Sequence, residues 1–232
     1  MWNLLNPDNR FVQIVNKIAC GVVISLLWAL LSCTIIGFGP AATALYHTSV
    51  KVLRKDRGSL FSEFFGSIKD SWKATIPAGL LALVLLGSLA LIDLPNLAAL
   101  VTNQAGFELL PCLFSLVKCL VCISFLLYAF PIFSRFQVGL VRGCLFSLVI
   151  ALRHLPSTLL LCAVAVVTVF LFWLQPLLIF GLPVCLSLFQ SLLMEKILIA
   201  HMSESDRTAE AGKDLWYLPD SKQASESGSA SQ

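Results

Sequence analysis

Apolar positions run unbroken over long stretches of this chain instead of alternating with polar ones. No Asp, Glu, Lys or Arg occurs from Ile18 to Val50 or from His154 to Met194. Ala74–Ile92 and Leu109–Ser134 are two further apolar stretches, the second interrupted only by Lys118. About 20 apolar residues cross a roughly 30 Å hydrocarbon layer as a helix rising about 1.5 Å per residue, so each of the first two stretches is too long for one crossing. None shows the period-2 alternation of a barrel strand, and in lipid every backbone N–H and C=O must be satisfied within its own segment. The expected fold class is all-α, a polytopic transmembrane helical bundle.

Breakers divide the long stretches. Gly37, Gly39 and Pro40 form a candidate helix break, with Pro40 suited to the first turn of the next helix. Gln175-Pro176 and Gly181-Leu182-Pro183 divide the last stretch into a helical hairpin. The spans then fall near 18–38, 40–55, 74–92, 109–134, 155–174 and 177–194, in one membrane-embedded domain over residues 1–202. Pro40–Lys55 is short and polar, so five spans remain the alternative to six. Three segments have the look of surface helices. The first is opened by Asn6, Pro7 and Asp8, the second contains Phe61, Phe64, Phe65 and Ile68, and the third is Gln137–Leu152.

Composition agrees: 58% of residues are hydrophobic, 12% are charged and the mean hydropathy is +0.87. A soluble domain carries about 25% charge, so a single soluble globular fold is excluded. Charge also orients the bundle, because cytoplasmic loops collect Lys and Arg. The loop after residue 50 holds Lys51, Arg54, Lys55, Arg57, Lys69 and Lys73, whereas Asp93–Glu108 holds no base. Six spans with both termini inside put 15 of the 16 Lys and Arg on the cytoplasmic side. That arrangement is preferred, and it makes the chain a multi-pass protein of the cell membrane. Residues 203–232 are rich in Ser and charge, with 6 acids against 3 bases, and read as a disordered polar cytoplasmic tail. The rest of the chain is more positive than the overall +3. The partner this charge requires is the anionic lipid bilayer, and no nucleic acid is needed.

Searching for chemistry returns little. His47, His154 and His201 are scattered, and no H-E-x-x-H, phosphate loop or G-x-S-x-G elbow occurs. No carboxylate pair lies within a span, so the protein is expected to be no enzyme and to need no cofactor. The eight cysteines, with Cys112, Cys119 and Cys122 on one helix face, lack the second ligand pair a metal would require and read as small packing residues. Lys118 is the one charge embedded in a span. It either snorkels to the outer surface or pairs with Asp93 or Glu108. Tyr46, His47 and Lys118 form a candidate polar cavity if the Gly37–Pro40 break creates a discontinuous membrane helix; the alternative is an outer turn with Tyr46 and His47 as interface anchors.

The Asn6-Pro7-Asp8 opening, the stretch from Gly37 to Tyr46, the basic loop with Phe61, Phe64, Phe65, Lys69 and Trp72, and Ala151-Leu152-Arg153-His154-Leu155-Pro156 together resemble the YesL-like family of bacterial membrane proteins. The resemblance covers roughly residues 1–200 and excludes the tail. It implies a domain of unknown function whose genes often neighbour those for carbohydrate uptake. It also marks Asn6, Pro7, Asp8, Arg153, His154 and Pro156 as motif positions without assigned roles. The function it implies is a nonenzymatic accessory or regulatory part in sugar uptake, with a sugar transporter complex as partner. A small carrier or channel using the Gly37–Pro40 break and Lys118 is the alternative.

Overall fold

A computed structural model describes residues 10–95, 98, 109–135 and 139–201. Every regular element among them is helical. Asn6, Pro7 and Asp8, most of the outer loop with Glu108, and the tail from residue 203 lie outside the described residues.

The first helix, α1, spans Arg10–Ser32. Sequence reading separated a surface helix from a span starting at residue 18, but no Gly-Pro cluster interrupts residues 10–20 and one helix runs through both. It also ends before residue 38. Thr34 stops it, its hydroxyl donating to the Leu31 carbonyl at 2.7 Å and accepting the Gly37 N–H at 3.1 Å. Helix α2, Phe38–Thr48, continues into a π-helical stretch, Ser49–Arg54. Helix α3, Leu60–Ser88, likewise ends in a π stretch, Leu89–Asp93. Together these last two form a single apolar rod of 34 residues. The expected surface helix near Phe61 and the span 74–92 are thus parts of one element. Pro77 sits inside it, as prolines do in membrane helices where neighbours compensate.

Helix α4, Leu109–Arg135, contains Pro131. Helix α5, Leu140–Arg153, is the expected short third amphipathic segment, though it packs on α4 instead of lying apart. Helix α6, Leu155–Leu174, agrees with the expected span. A 3-10 turn, Pro176–Phe180, leads into α7, Leu182–His201, so the final helix starts after Gly181 rather than at residue 177. Pro183 falls in its first turn, where a missing N–H costs nothing.

Among the described residues, four helices are long and apolar enough to cross a membrane: Phe11–Ser32, Leu60–Asp93, Leu110–Arg135 and Leu155–Leu174; Leu182–Met194 is a shorter apolar helix. The arrangement is inverted relative to a soluble protein. Helix α2, the most polar of the expected spans, is packed by α1, α3, α4 and α7. Along it Ala41, Thr43, Ala44, Leu45, Tyr46, Thr48 and Ser49 are all buried. By contrast Val166, Val169, Phe170 and Trp173 of α6 face outward. Apolar side chains cover the outside because the surrounding solvent is apolar.

Glycine sets the tightest crossing. A Cβ on Gly39 would lie 2.8 Å from the Cα of Gly79 and would also strike the Thr75 carbonyl, so α2 and α3 touch backbone to backbone. Around that contact, Phe38 stacks edge-on against Phe130 of α4 at 6.0 Å, and Ala78 and Ala82 of α3 pack with Phe125, Ala129 and Phe133 of α4.

Candidate functional site

The largely buried ion pairs among the described residues lie in two places, each with one partner in a π-helical stretch or beside it. The wider turn of a π segment carries an extra residue and often marks a functional position.

The first place is the basic end of α2. Glu63, in the first turn of α3, pairs with Lys51 Nζ at 3.0 Å and lies 3.4 Å from His47 Nε2. The three side chains are largely buried, at 11%, 13% and 20% exposure for Lys51, His47 and Glu63. The main chain of Ser134 on α4 lies alongside the His47 ring. Three helices therefore meet at one histidine. The connecting loop is shaped to the same carboxylate. Asp56 and Gly58 both adopt positive φ, at 51° and 78°, and a Cβ on Gly58 would stand 2.9 Å from the Glu63 Cγ. Glycine alone meets both demands. The loop is fastened by Lys55 N–H to Val50 O at 3.2 Å and Arg57 N–H to Lys51 O at 3.0 Å. Arg54 donates to Ser191 Oγ of α7 at 3.1 Å, which ties in a fourth helix.

The second place is the far end of α3. Asp93, only 2% exposed in its side chain, pairs with Lys118 of α4 at 2.9 Å, a close ion pair rather than a well-angled hydrogen bond. Lys118 is 31% exposed. Along the outer half of α4, Cys112, Ser115 and Cys122 are the buried positions, facing inward between exposed Leu110, Phe114, Val117 and Val121. Cys112, Cys119 and Cys122 are free thiols, and the described residues hold no group of His, Cys, Asp and Glu able to bind a metal.

The sequence-derived candidates are distributed between these places. Tyr46 and His47 belong to the first, inside the bundle and not at an outer turn. Lys118 belongs to the second. Ser134, beside His47, is roughly 24 Å along α4 from Lys118 at about 1.5 Å per residue. The structure therefore does not bring Lys118 together with Tyr46 and His47. Gly37, Gly39 and Pro40 do mark the start of a helix. Gly37 caps it where a Cβ would meet Thr34 and Leu31, Gly39 seals the contact with Gly79, and Pro40 occupies the first turn.

Arg153, His154 and Pro156 form the corner between α5 and α6. His154 has φ −117° and ψ 51°, ending one helix and opening the next, and Pro156 cannot extend the ladder of the first. Thr158 ties the corner down. Its single hydroxyl proton serves the Ala151 carbonyl at 2.8 Å or the His154 carbonyl at 3.0 Å, so Tyr128 of α4 must donate to it at 2.9 Å. Sequence reading missed Glu63, Tyr128, Thr158 and Gln190. Glu63 looked like a solvated member of a surface helix, and the other three are common polar residues with no motif around them.

An apolar exterior, internal ion pairs and, among the described residues, four helices long and apolar enough to cross a bilayer mark a helical protein of the membrane class. A family model described as "Protein of unknown function, DUF624" matches residues 22–94, the segment that contains α2, Glu63 and Asp93. The chain is 28% identical over 170 residues to the Uncharacterized protein YesL of Bacillus subtilis (strain 168), covering 71% of this chain and 76% of that one. Together these matches support a YesL-like family for the chain. No solved structure matches it.

Proposed function

We propose that the chain is a six-span protein of the cell membrane, with both ends on the side of the basic loop, acting as a nonenzymatic accessory or regulatory component of carbohydrate uptake. The threading is supported by the Lys17–Asp56 ion pair at 2.8 Å, which sets the beginning of α1 beside the loop that follows α2. A chain that leaves and returns to the same end crosses twice. Cys33, exposed in the turn between α1 and α2, gives the test. In a variant retaining only that cysteine, a membrane-impermeant maleimide added to intact cells labels it under six spans. Labelling that requires opened cells would overturn the threading.

The accessory role is carried by one observation: two of the cations within the bundle are matched internally, Lys118 by Asp93 and Lys51 by Glu63. Charges satisfied this way are scaffold, since their role is to fix helices against one another. The link to sugars comes from the YesL-like resemblance. Copurification from membranes in mild detergent with a sugar transporter, and reduced sugar uptake on deletion, are the expected results. A protein always recovered alone, with uptake unchanged, would sink the proposal.

A small carrier is the second reading, favoured by the burial of the polar helix α2 and by the π stretch that interrupts it. Under it, Lys118→Met abolishes a flux measured in proteoliposomes. Unchanged flux removes Lys118 from any pathway.

A further inference from the structure

The rod Leu60–Asp93 is 34 residues long, about 51 Å at about 1.5 Å per residue, and so exceeds a roughly 30 Å hydrocarbon layer by several turns. Its first part, on the basic side, therefore stands in the headgroup region. There the helix has two unlike faces. Phe64 is fully buried, and Ile68 packs inward beside the α1–α2 core. On the other face Phe61, Phe65 and Trp72 are 58%, 52% and 49% exposed, interspersed with exposed Lys69 and Lys73. The Lys73 ammonium lies 6.0 Å from the Trp72 ring centre. Aromatic rings at the glycerol level with lysines reaching outward form the pattern of a helix bound to lipid headgroups.

Helix α5 repeats the pattern independently. Val141, Leu145, Val149 and Leu152 form one exposed apolar stripe, Arg142 and Arg153 are exposed beside it, and the helix contains no acid. The two helices are in contact, and Ala74 of α3 and Leu140 of α5 pack against the same core cluster. Lys73 immediately precedes Ala74, and Arg142 lies two residues beyond Leu140, on the opposite, exposed side of α5.

We propose that the exposed faces of α3 and α5 bind the headgroups of anionic phospholipids, with Lys69 and Lys73 on the one face and Arg142 on the other as phosphate-facing cations and Trp72 as the acyl-glycerol anchor. Charge complementarity selects this occupant over a protein partner: four exposed cations, Lys69, Lys73, Arg142 and Arg153, and one exposed acid, Asp70, lie along these faces among apolar side chains. The proposal rests on membrane embedding and not on a transporter partner. Its test contains no transporter, so its failure leaves the accessory role standing.

The test reconstitutes the purified full chain into nanodiscs of equal phosphatidylglycerol and phosphatidylcholine, then quantifies lipid retained on extraction into mild detergent. The expected result is retention enriched in phosphatidylglycerol and lowered by salt. The K69Q/K73Q variant and R142Q each reduce that enrichment, by about fivefold per charge removed. Because these side chains are exposed, folding is checked by unchanged helical circular dichroism. W72A, which keeps every charge, lowers total retained lipid without altering the preference for the anionic headgroup. Equal retention of the two lipids by the unmodified chain overturns the proposal. So does enrichment that survives K69Q/K73Q and R142Q, or a face found occupied by a copurifying protein instead.

Discussion

Gln190 donates its side-chain amide to the main-chain carbonyl of Leu127, across from α7 to α4. That carbonyl is the one Pro131 leaves without a helical partner, since residue 131 has no N–H to return to residue 127. A proline in one span is thus answered by a glutamine in another, and both are buried.

Gln190→Leu should therefore destabilise the protein by about 1 kcal/mol, because the Leu127 carbonyl loses its donor inside the bundle. Pro131→Ala supplies the missing N–H. In the double variant most of the Gln190→Leu penalty should vanish, giving a clear coupling energy in a thermal-unfolding cycle in detergent. Additive effects would show that the two residues act separately.

Lys118→Met leaves Asp93 as a buried carboxylate without its cation. Breaking a buried pair costs about 3–5 kcal/mol, and the partial exposure of Lys118 reduces this to roughly 1–2 kcal/mol. Asp93→Asn combined with Lys118→Met should be more stable than Lys118→Met alone. The reverse order of midpoints in thermal unfolding would contradict the pairing.

Gly39→Ala should separate α2 from α3 and cost about 2 kcal/mol or more, since the new methyl meets backbone that cannot rotate aside. Gly66→Ala is the matched comparison. Nothing lies within 4 Å of a Cβ there, and alanine favours the helix by up to about 1 kcal/mol. Opposite shifts in the unfolding midpoint are expected for the two variants.

Glu63→Ala removes the carboxylate that Lys51, His47 and the Gly58 loop surround. The loop contains Lys55 and Arg57, so limited trypsin digestion reads its opening directly. Faster cleavage at those two sites is expected with the rest of the pattern unchanged. Cleavage no faster than in the unmodified chain would mean the loop is held by its main-chain bonds alone.

Hydropathy made the long helices legible because crossing lipid requires length and apolarity, and both are written residue by residue. The breaks at Gly37–Pro40 and Gln175–Gly181 were legible for the same reason, since Gly and Pro act locally, though the second helix begins at Phe38 and not at Pro40. Helix continuity was not. Arg10–Ser32 and Leu60–Asp93 each run through a change from amphipathic to fully apolar sequence, and a helix need not stop where its surroundings change. The π stretches at Ser49–Arg54 and Leu89–Asp93 were also invisible, as no residue type encodes them. Because the first of them carries Lys51 and Arg54, the contacts of these two residues with Glu63 and Ser191 were hidden with it. Asp93 was named as a partner for Lys118 only from its position near the outer end, whereas Glu63 needed the folded loop to be found at all.

The burial of α2 has a consequence for how this sequence tolerates change. On α6, a position such as Val169 or Phe170 meets only the surrounding medium, and any apolar residue serves it equally. On α2, Gly39, Ala41, Thr43 and Ala44 each face another helix at close range, and volume is fixed there to within a methyl group. A saturation scan scored by folded yield should therefore rank α2 as the least replaceable helix of the bundle.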